Sequence, residues 1–235
     1  MSEILQTPDL PIIFEDNHIV VVIKPVNMPS QEDASGDADL LTAIKDYRKI
    51  KDNKQGEAFI GLVHRLDRVT GGVMVFAKTS KAAARLGEQL KQGEFTKKYL
   101  AIVNGIPKQN SATLKHYLWK NEQKNIVEVV GQAVSGAKYA ELAYRILHQT
   151  EKTALVEVEL VTGRSHQIRV QMAKIGHPLV GDAKYGKDRG RLALWAYELG
   201  FNHPTSGDRM KFVVNPPETE PWDKFDFARK SHKTR

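Results

Sequence analysis

Short runs of β-branched and aromatic residues recur along this chain, and segments with helical spacing stand between them. Ile12-Ile13-Phe14 and Ile19-Val20-Val21-Val22-Ile23 flank the polar stretch Glu15-Asp16-Asn17-His18, which predicts a strand, a turn and a strand. Val73 to Ala77, Tyr99 to Val103 and Met210 to Val214 predict further strands, and Val127 to Leu147 reads as mostly β. Val156, Val158 and Leu160 alternate with Glu157 and Glu159, the pattern of a strand with one wet face. Leu40, Leu41, Ile44 and Tyr47 follow helical spacing with Asp39 as N-cap. Ala83, Leu86 and Leu90 do the same after Thr79-Ser80, as do Ile168, Met172 and Ile175 before Gly176. Leu192, Trp195, Ala196 and Leu199 form a further helical stripe. The interleaving predicts an α+β fold, a mixed and largely antiparallel central sheet flanked by helices. With no internal repeat and no Gly/Ser-rich linker, one domain is expected over 12–220, between an extension at 1–11 and a basic tail at 221–235.

The 235 residues contain no cysteine, which excludes disulfides, thiolate zinc sites and a cysteine nucleophile, and fits a reducing cytoplasm. No stretch is apolar for long enough to cross a bilayer, and the N-terminus lacks the pattern of a signal peptide. A soluble, cytoplasmic monomer without an obligate protein partner is the expectation. The net charge of +7 is unevenly spread: residues 1–60 carry 6 Lys/Arg against 11 Asp/Glu, and the remainder 29 against 17. A basic surplus of this kind suits a polyanion-binding face, and equally a solvated basic surface.

The stretch His64-Arg65-Leu66-Asp67-Arg68-Val69-Thr70-Gly71-Gly72 sets one carboxylate among two arginines and a histidine. Neighbouring positive charge favours an ionised acid, which can act as nucleophile or base while the cations grip a phosphodiester. A second arginine source, Gly163-Arg164-Ser165-His166-Gln167-Ile168-Arg169, joins the strand ending near Val161 to the next helix. Arg164 at that turn can pair with a carboxylate or hold a phosphate. Residue type and spacing alone also allow a structural ion pair, or no meeting of Asp67 and Arg164 at all.

Five blocks in order make the sequence similar to the RluA family of RNA pseudouridine synthases. They are Lys24-Pro25-Val26-Asn27-Met28-Pro29; His64-Arg65-Leu66-Asp67 with Thr70-Gly71-Gly72; Lys97-Lys98-Tyr99; Gly163 to Arg169; and Gly176 to Gly186. The resemblance implies a single catalytic domain of that fold that isomerises uridines of ribosomal or transfer RNA without metal or cofactor; with the first strand expected near Ile12, the S4-type module that begins many relatives is not expected here. It implies that Asp67 is the catalytic aspartate, that Tyr99 stacks on the uracil, and that Arg164 pairs with the acid. Arg65 would accompany the flipped-out nucleotide and Ile168 would line the apolar side of the pocket. His64, Arg68, Arg169 and Lys24 are further candidates for RNA contact, with Lys184 as another possible phosphate contact. Asn27 and Gly71 replace the usual Gly and Ser, and Gln171 stands where many relatives have His, which bears on pocket shape rather than on reaction class.

Three other readings compete with this one. Gly72 to Thr79 approaches a phosphate-binding loop, but Ala77 replaces a required Gly and the interior is a β-run. His64, Asp67, His166, His177 and Asp182 lack any recognised metal-ligand spacing. A catalytically inactive RNA-binding relative is the remaining alternative, against which an acid kept beside a polyanion speaks. Trp195 is expected in the core, whereas Trp119 and Trp222 stand in polar sequence and are candidates to touch RNA.

Overall fold

In the computed structural model, residues 10–53 and 56–225 are described. They group into two compact units, one from residues up to 96 together with 198–214, the other from 97–197 together with the segment from 215 onward. The expected extension at 1–11 lies outside the described residues up to residue 9, and the basic tail lies outside them from residue 226.

The first unit begins with a hairpin of β1 (Ile12–Glu15) and β2 (Ile19–Lys24). Asp16 shapes its turn by accepting from the N–H groups of His18 at 2.7 Å and Ile19 at 2.8 Å. Helix α1 (Leu40–Lys51) starts where the Asp39 carboxylate accepts from the N–H of Thr42, and it buries Leu40 and Ile44. β3 (Gly61–Leu62) and β4 (Gly71–Ala77) pair antiparallel, and β2 pairs antiparallel with β4 from Ile19 opposite Ala77 to Lys24 opposite Gly72. β4 is buried throughout, as its unbroken apolar run requires. Helix α2 (Ser80–Gln92) is capped by the Thr79 hydroxyl and stopped by Gly93 in the left-handed conformation at φ 75°. Ile19, Val21, Val73, Val75, Leu86, Phe95 and Phe201 pack together as its core. Each such side chain contributes about 1.5–3 kcal/mol by leaving water.

The second unit holds residues 97–104 of β5 (Thr96–Asn104), then β6 (Ser111–Asn121), β7 (Ile126–Val130), β8 (Lys138–Gln149) and β9 (Thr153–Leu160). Their spatial order is β5-β9-β8-β6-β7, all antiparallel. Helix α3 (Gln167–Lys174) lies on one face, where its Val170 meets Leu118, Val127 and Ala140. The fold is α+β, as its sequence pattern predicts.

The stripe Leu192, Trp195, Ala196 and Leu199 is not helical. Residues Leu194–Asn202 form strand β10, whose residues 198–202 pair antiparallel with β11 (Arg209–Val213). Nearly every β10 side chain is buried, so its apolar positions occupy both faces, and a fully buried strand has no period to tell it from a helix. Trp222 also departs from expectation: it is 2% exposed, with a short 3-10 turn at Trp222–Lys224, and so offers no surface to RNA. Trp195 is core as expected, though on a strand.

Candidate active site

In the first unit, Asp67 sits half-buried in the segment between β3 and β4. The N–H of Thr70 donates to the Asp67 carbonyl at 2.9 Å, closing a tight turn just before β4. Leu66 on one side is buried, and the Ser30 hydroxyl clamps its backbone, donating to the carbonyl at 2.8 Å and accepting from the N–H at 3.1 Å. Arg68 on the other side is held by Lys24, whose ammonium donates to its carbonyl at 3.0 Å. The same ammonium donates to the carbonyls of Pro25 at 2.8 Å and Met28 at 2.6 Å. The backbone is therefore pinned at residues 66, 67 and 68, which fixes the direction in which the carboxylate leaves the chain.

Lys24 is fully buried. Burial pushes its ammonium down to about 7 while the Asp67 carboxylate pulls the other way and Arg68 adds to the lowering. The expectation of Lys24 as a phosphate contact is corrected accordingly: it is an internal strut at the end of β2, with no exposed surface for RNA. The Asn27 departure has a local cause, since its φ of 64° is left-handed and Asn is among the few side chains that adopt it in place of Gly.

The other charged candidates of this segment face different tasks. The Arg68 guanidinium bonds Asp37 at 2.5 Å, Asp33 at 3.0 Å and the Ser35 hydroxyl, tying down the polar loop before α1. Asp33 falls to about 2 through the hydrogen bonds from Ser35 and Arg68. Nε2 of His64 accepts from the N–H of Val75 at 3.2 Å, and its ring meets Phe95 edge-on, so it anchors the loop to the core. Arg65 is exposed.

In the second unit, Tyr99 lies on β5 opposite Val158 and is half-buried. Arg164 is exposed in the connection from β9 to α3. Its Nε donates to the Tyr139 carbonyl at 2.9 Å, and its N–H donates to Oε1 of Gln167 at 2.9 Å. Gln167 in turn accepts from the Thr162 hydroxyl and donates to the Glu141 carbonyl, so this connection is stitched to β8. His166 takes a left-handed φ of 50° ahead of α3, and its Nδ1 lies 2.6 Å from the Tyr185 hydroxyl, which accepts from the N–H of Val127.

Arg169 was expected to touch RNA. Instead it is buried and forms a bidentate pair with Asp182, Nε to Oδ2 at 2.8 Å and Nη2 to Oδ1 at 2.7 Å, with Tyr185 packed on its guanidinium. Burial alone would raise the Asp182 carboxyl, but Arg169 and the N–H groups of Tyr185 and Lys184 hold it below its ordinary value. Ile168 is buried on α3. Lys184 donates to the Asn125 carbonyl at 2.7 Å. Gln171 is wholly buried, with its amide nitrogen on the Leu114 carbonyl and 2.9 Å from His116 Nδ1, so it serves packing within the unit. Among the described residues no three His, Asp or Glu side chains gather as metal ligands would, and no helix is long and apolar enough to cross a membrane.

The family model for RNA pseudouridylate synthase matches residues 18–174, a span that contains Asp67, Tyr99 and Arg164. The chain belongs to the RNA pseudouridylate synthase family. It is an isomerase that converts uridine in RNA to pseudouridine. The synthase is 34% identical over 223 residues to a ribosomal large subunit pseudouridine synthase D of Zymomonas mobilis, covering 89% of this chain and 70% of that protein. It is 36% identical over 230 residues to an uncharacterized RNA pseudouridine synthase of Aquifex aeolicus, covering 88% and 70%. The human RNA pseudouridylate synthase domain containing 4 protein shares the fold, with a TM-score of 0.73 over 88% of each chain at 24% identity.

Two positioning residues escape sequence reasoning. Ser30 is 36 positions from its partner, and nothing in its local pattern signals a clamp. Lys24 lies in a motif, but only the register of β2 on β4 reveals that its ammonium points inward.

Proposed function

We propose that the synthase acts on ribosomal RNA with Asp67 as the nucleophile, Tyr99 as the aromatic that stacks on the target uracil, and Arg164 as the arginine partner of the acid. Arg65 accompanies the extruded nucleotide, and Ile168 backs the apolar side of its pocket. Extrusion costs a few kcal/mol of lost stacking, which cationic and aromatic contacts offset. The N1–C1′ bond of the uridine breaks, the uracil turns, and a C5–C1′ bond forms. The proton on C5 leaves and N1 ends protonated, so the net change is isomerisation without a cofactor. The enzyme is a cytoplasmic monomer in this reading.

The observation that carries the assignment of Asp67 is its pinned backbone. A solvated surface acid has no use for a buried lysine and a buried serine fixing the peptide units on either side of it. The ribosomal substrate is supported by the name of the relative from Zymomonas mobilis.

The test is pseudouridine mapping of cellular RNA with and without the gene, by carbodiimide treatment and reverse transcription. One stop in ribosomal RNA should vanish in the deletion strain and return with wild type but not with Asp67→Asn. A vanishing stop in transfer RNA alone would overturn the ribosomal assignment, and rescue by Asp67→Asn would overturn the nucleophile.

A further inference from the structure

Three lysines of the described residues reach well inside the protein, and two of them have evident partners. The ammonium of Lys24 meets three carbonyls. That of Lys78 meets Glu15 Oε1 at 2.5 Å and the Asp16 carbonyl at 2.6 Å. Lys97 differs. It is half-buried on β5, and among the described residues its ammonium has neither a hydrogen bond nor a carboxylate; the charged group acting on it is the Arg164 guanidinium. Burial, and then that second cation, hold it below its ordinary value.

The surroundings are specific. The Lys97 Nζ stands over Gly163, close enough that a Cβ built there would lie 3.7 Å from it. Arg164 is the next residue along. Side chains alternate along a strand, so Lys97 and Tyr99 share one face of β5, while Lys98 between them lies opposite Glu159 on the other. Two like charges that act on one another, one of them partly desolvated, form an arrangement that an anion relieves.

Spacing selects the anion. Positions two apart on a strand are separated by about 6.6 Å. That is comparable to the span between a pyrimidine ring and the phosphate of its own nucleotide. We propose that Lys97 seats the phosphodiester of the nucleotide whose base lies on Tyr99, leaving Arg164 to the acid, and thereby sets where the target uridine stops in the pocket. The inference rests on the reading of Tyr99 given above. It adds a substrate-binding residue to the isomerisation.

The experiment uses ribosomal RNA from a strain lacking the gene, labelled with tritium at uridine C5, so that isomerisation releases tritium to water. Lys97→Met should raise KM about tenfold at low salt and leave kcat within about threefold, and one lost phosphate contact should make the dependence of log KM on log salt shallower by about 0.7–0.9. Lys97→Arg should recover most of both. Unchanged KM and unchanged salt slope in Lys97→Met would overturn the proposal, as would a fall in kcat alone. Wild type that binds this RNA without releasing tritium would count against the ribosomal substrate, and the salt slope of binding would then decide Lys97 separately. A second measurement avoids any variant: acetic anhydride footprinting of the wild-type protein, read by mass spectrometry. RNA should protect Lys97, and equal acetylation with and without RNA would overturn the assignment.

Discussion

The Ser30 hydroxyl holds both backbone groups of Leu66, giving a hydrogen bond to its carbonyl and taking one from its N–H. One side chain thus completes a two-way bridge across 36 residues, next to the proposed nucleophile. Ser30→Ala leaves two buried backbone groups without partners, each costing about 1–3 kcal/mol. The expected outcome is a lower urea midpoint and a kcat reduced about tenfold to a hundredfold, because small displacements of reacting groups are costly. Wild-type kcat in a folded Ser30→Ala protein would refute the positioning role.

Lys24 makes stability depend on pH in a defined window. Its folded value of about 7 lies below its ordinary value of 10.5. Between those limits the unfolded chain holds a proton that the folded chain gives up, so the contribution of this site to stability rises with pH. Below that window both states are protonated, and the cost of burying the ammonium is fully present. Lys24→Met should flatten this part of the curve of denaturation midpoint against pH, and it should lower turnover by releasing the Arg68 carbonyl. An identical pH slope in the variant would contradict the burial argument.

The Arg169–Asp182 pair is predicted to support the fold without touching RNA. Asp182→Leu or Arg169→Met strands a buried charge, at a cost of about 3–5 kcal/mol. The double variant should recover part of that loss, which thermal denaturation would reveal. A well-folded Arg169→Met protein with a shallower salt dependence of RNA binding would return Arg169 to the phosphate contacts.

Arg164→Ala is expected to abolish tritium release, through loss of the arginine proposed to pair with Asp67. Tyr99→Phe keeps the ring and should retain RNA affinity; its kcat then reports whether the hydroxyl takes part in removing the C5 proton. Full turnover in Arg164→Ala would refute the proposed pairing.

Much of this was legible in the sequence for physical reasons. The caps Asp39 and Thr79 announced α1 and α2 because their side chains satisfy N–H groups that every helix start exposes. The buried run Val73–Ala77 and the alternating β9 read directly from pattern. β10 did not, because burial on both faces erases the alternation that marks a strand. β6 carries lysines, a histidine and aromatics in mixed order and gave no clear period. At the site, Asp67, Tyr99 and Arg164 could be nominated from motifs, but the fate of the arginines could not. Arg68 and Arg169 stand in the same motifs as the proposed catalytic groups, yet their partners Asp33, Asp37 and Asp182 are fixed only by folding.

Lys24 stands opposite Gly72 at the far end of a six-residue antiparallel register. Because strand side chains repeat every second position, a slip by a single step would turn that ammonium to the opposite surface and leave the turn at 67–70 without its strut. Misthreaded molecules would be catalytically silent, so turnover per molecule doubles as a gauge of faithful strand alignment.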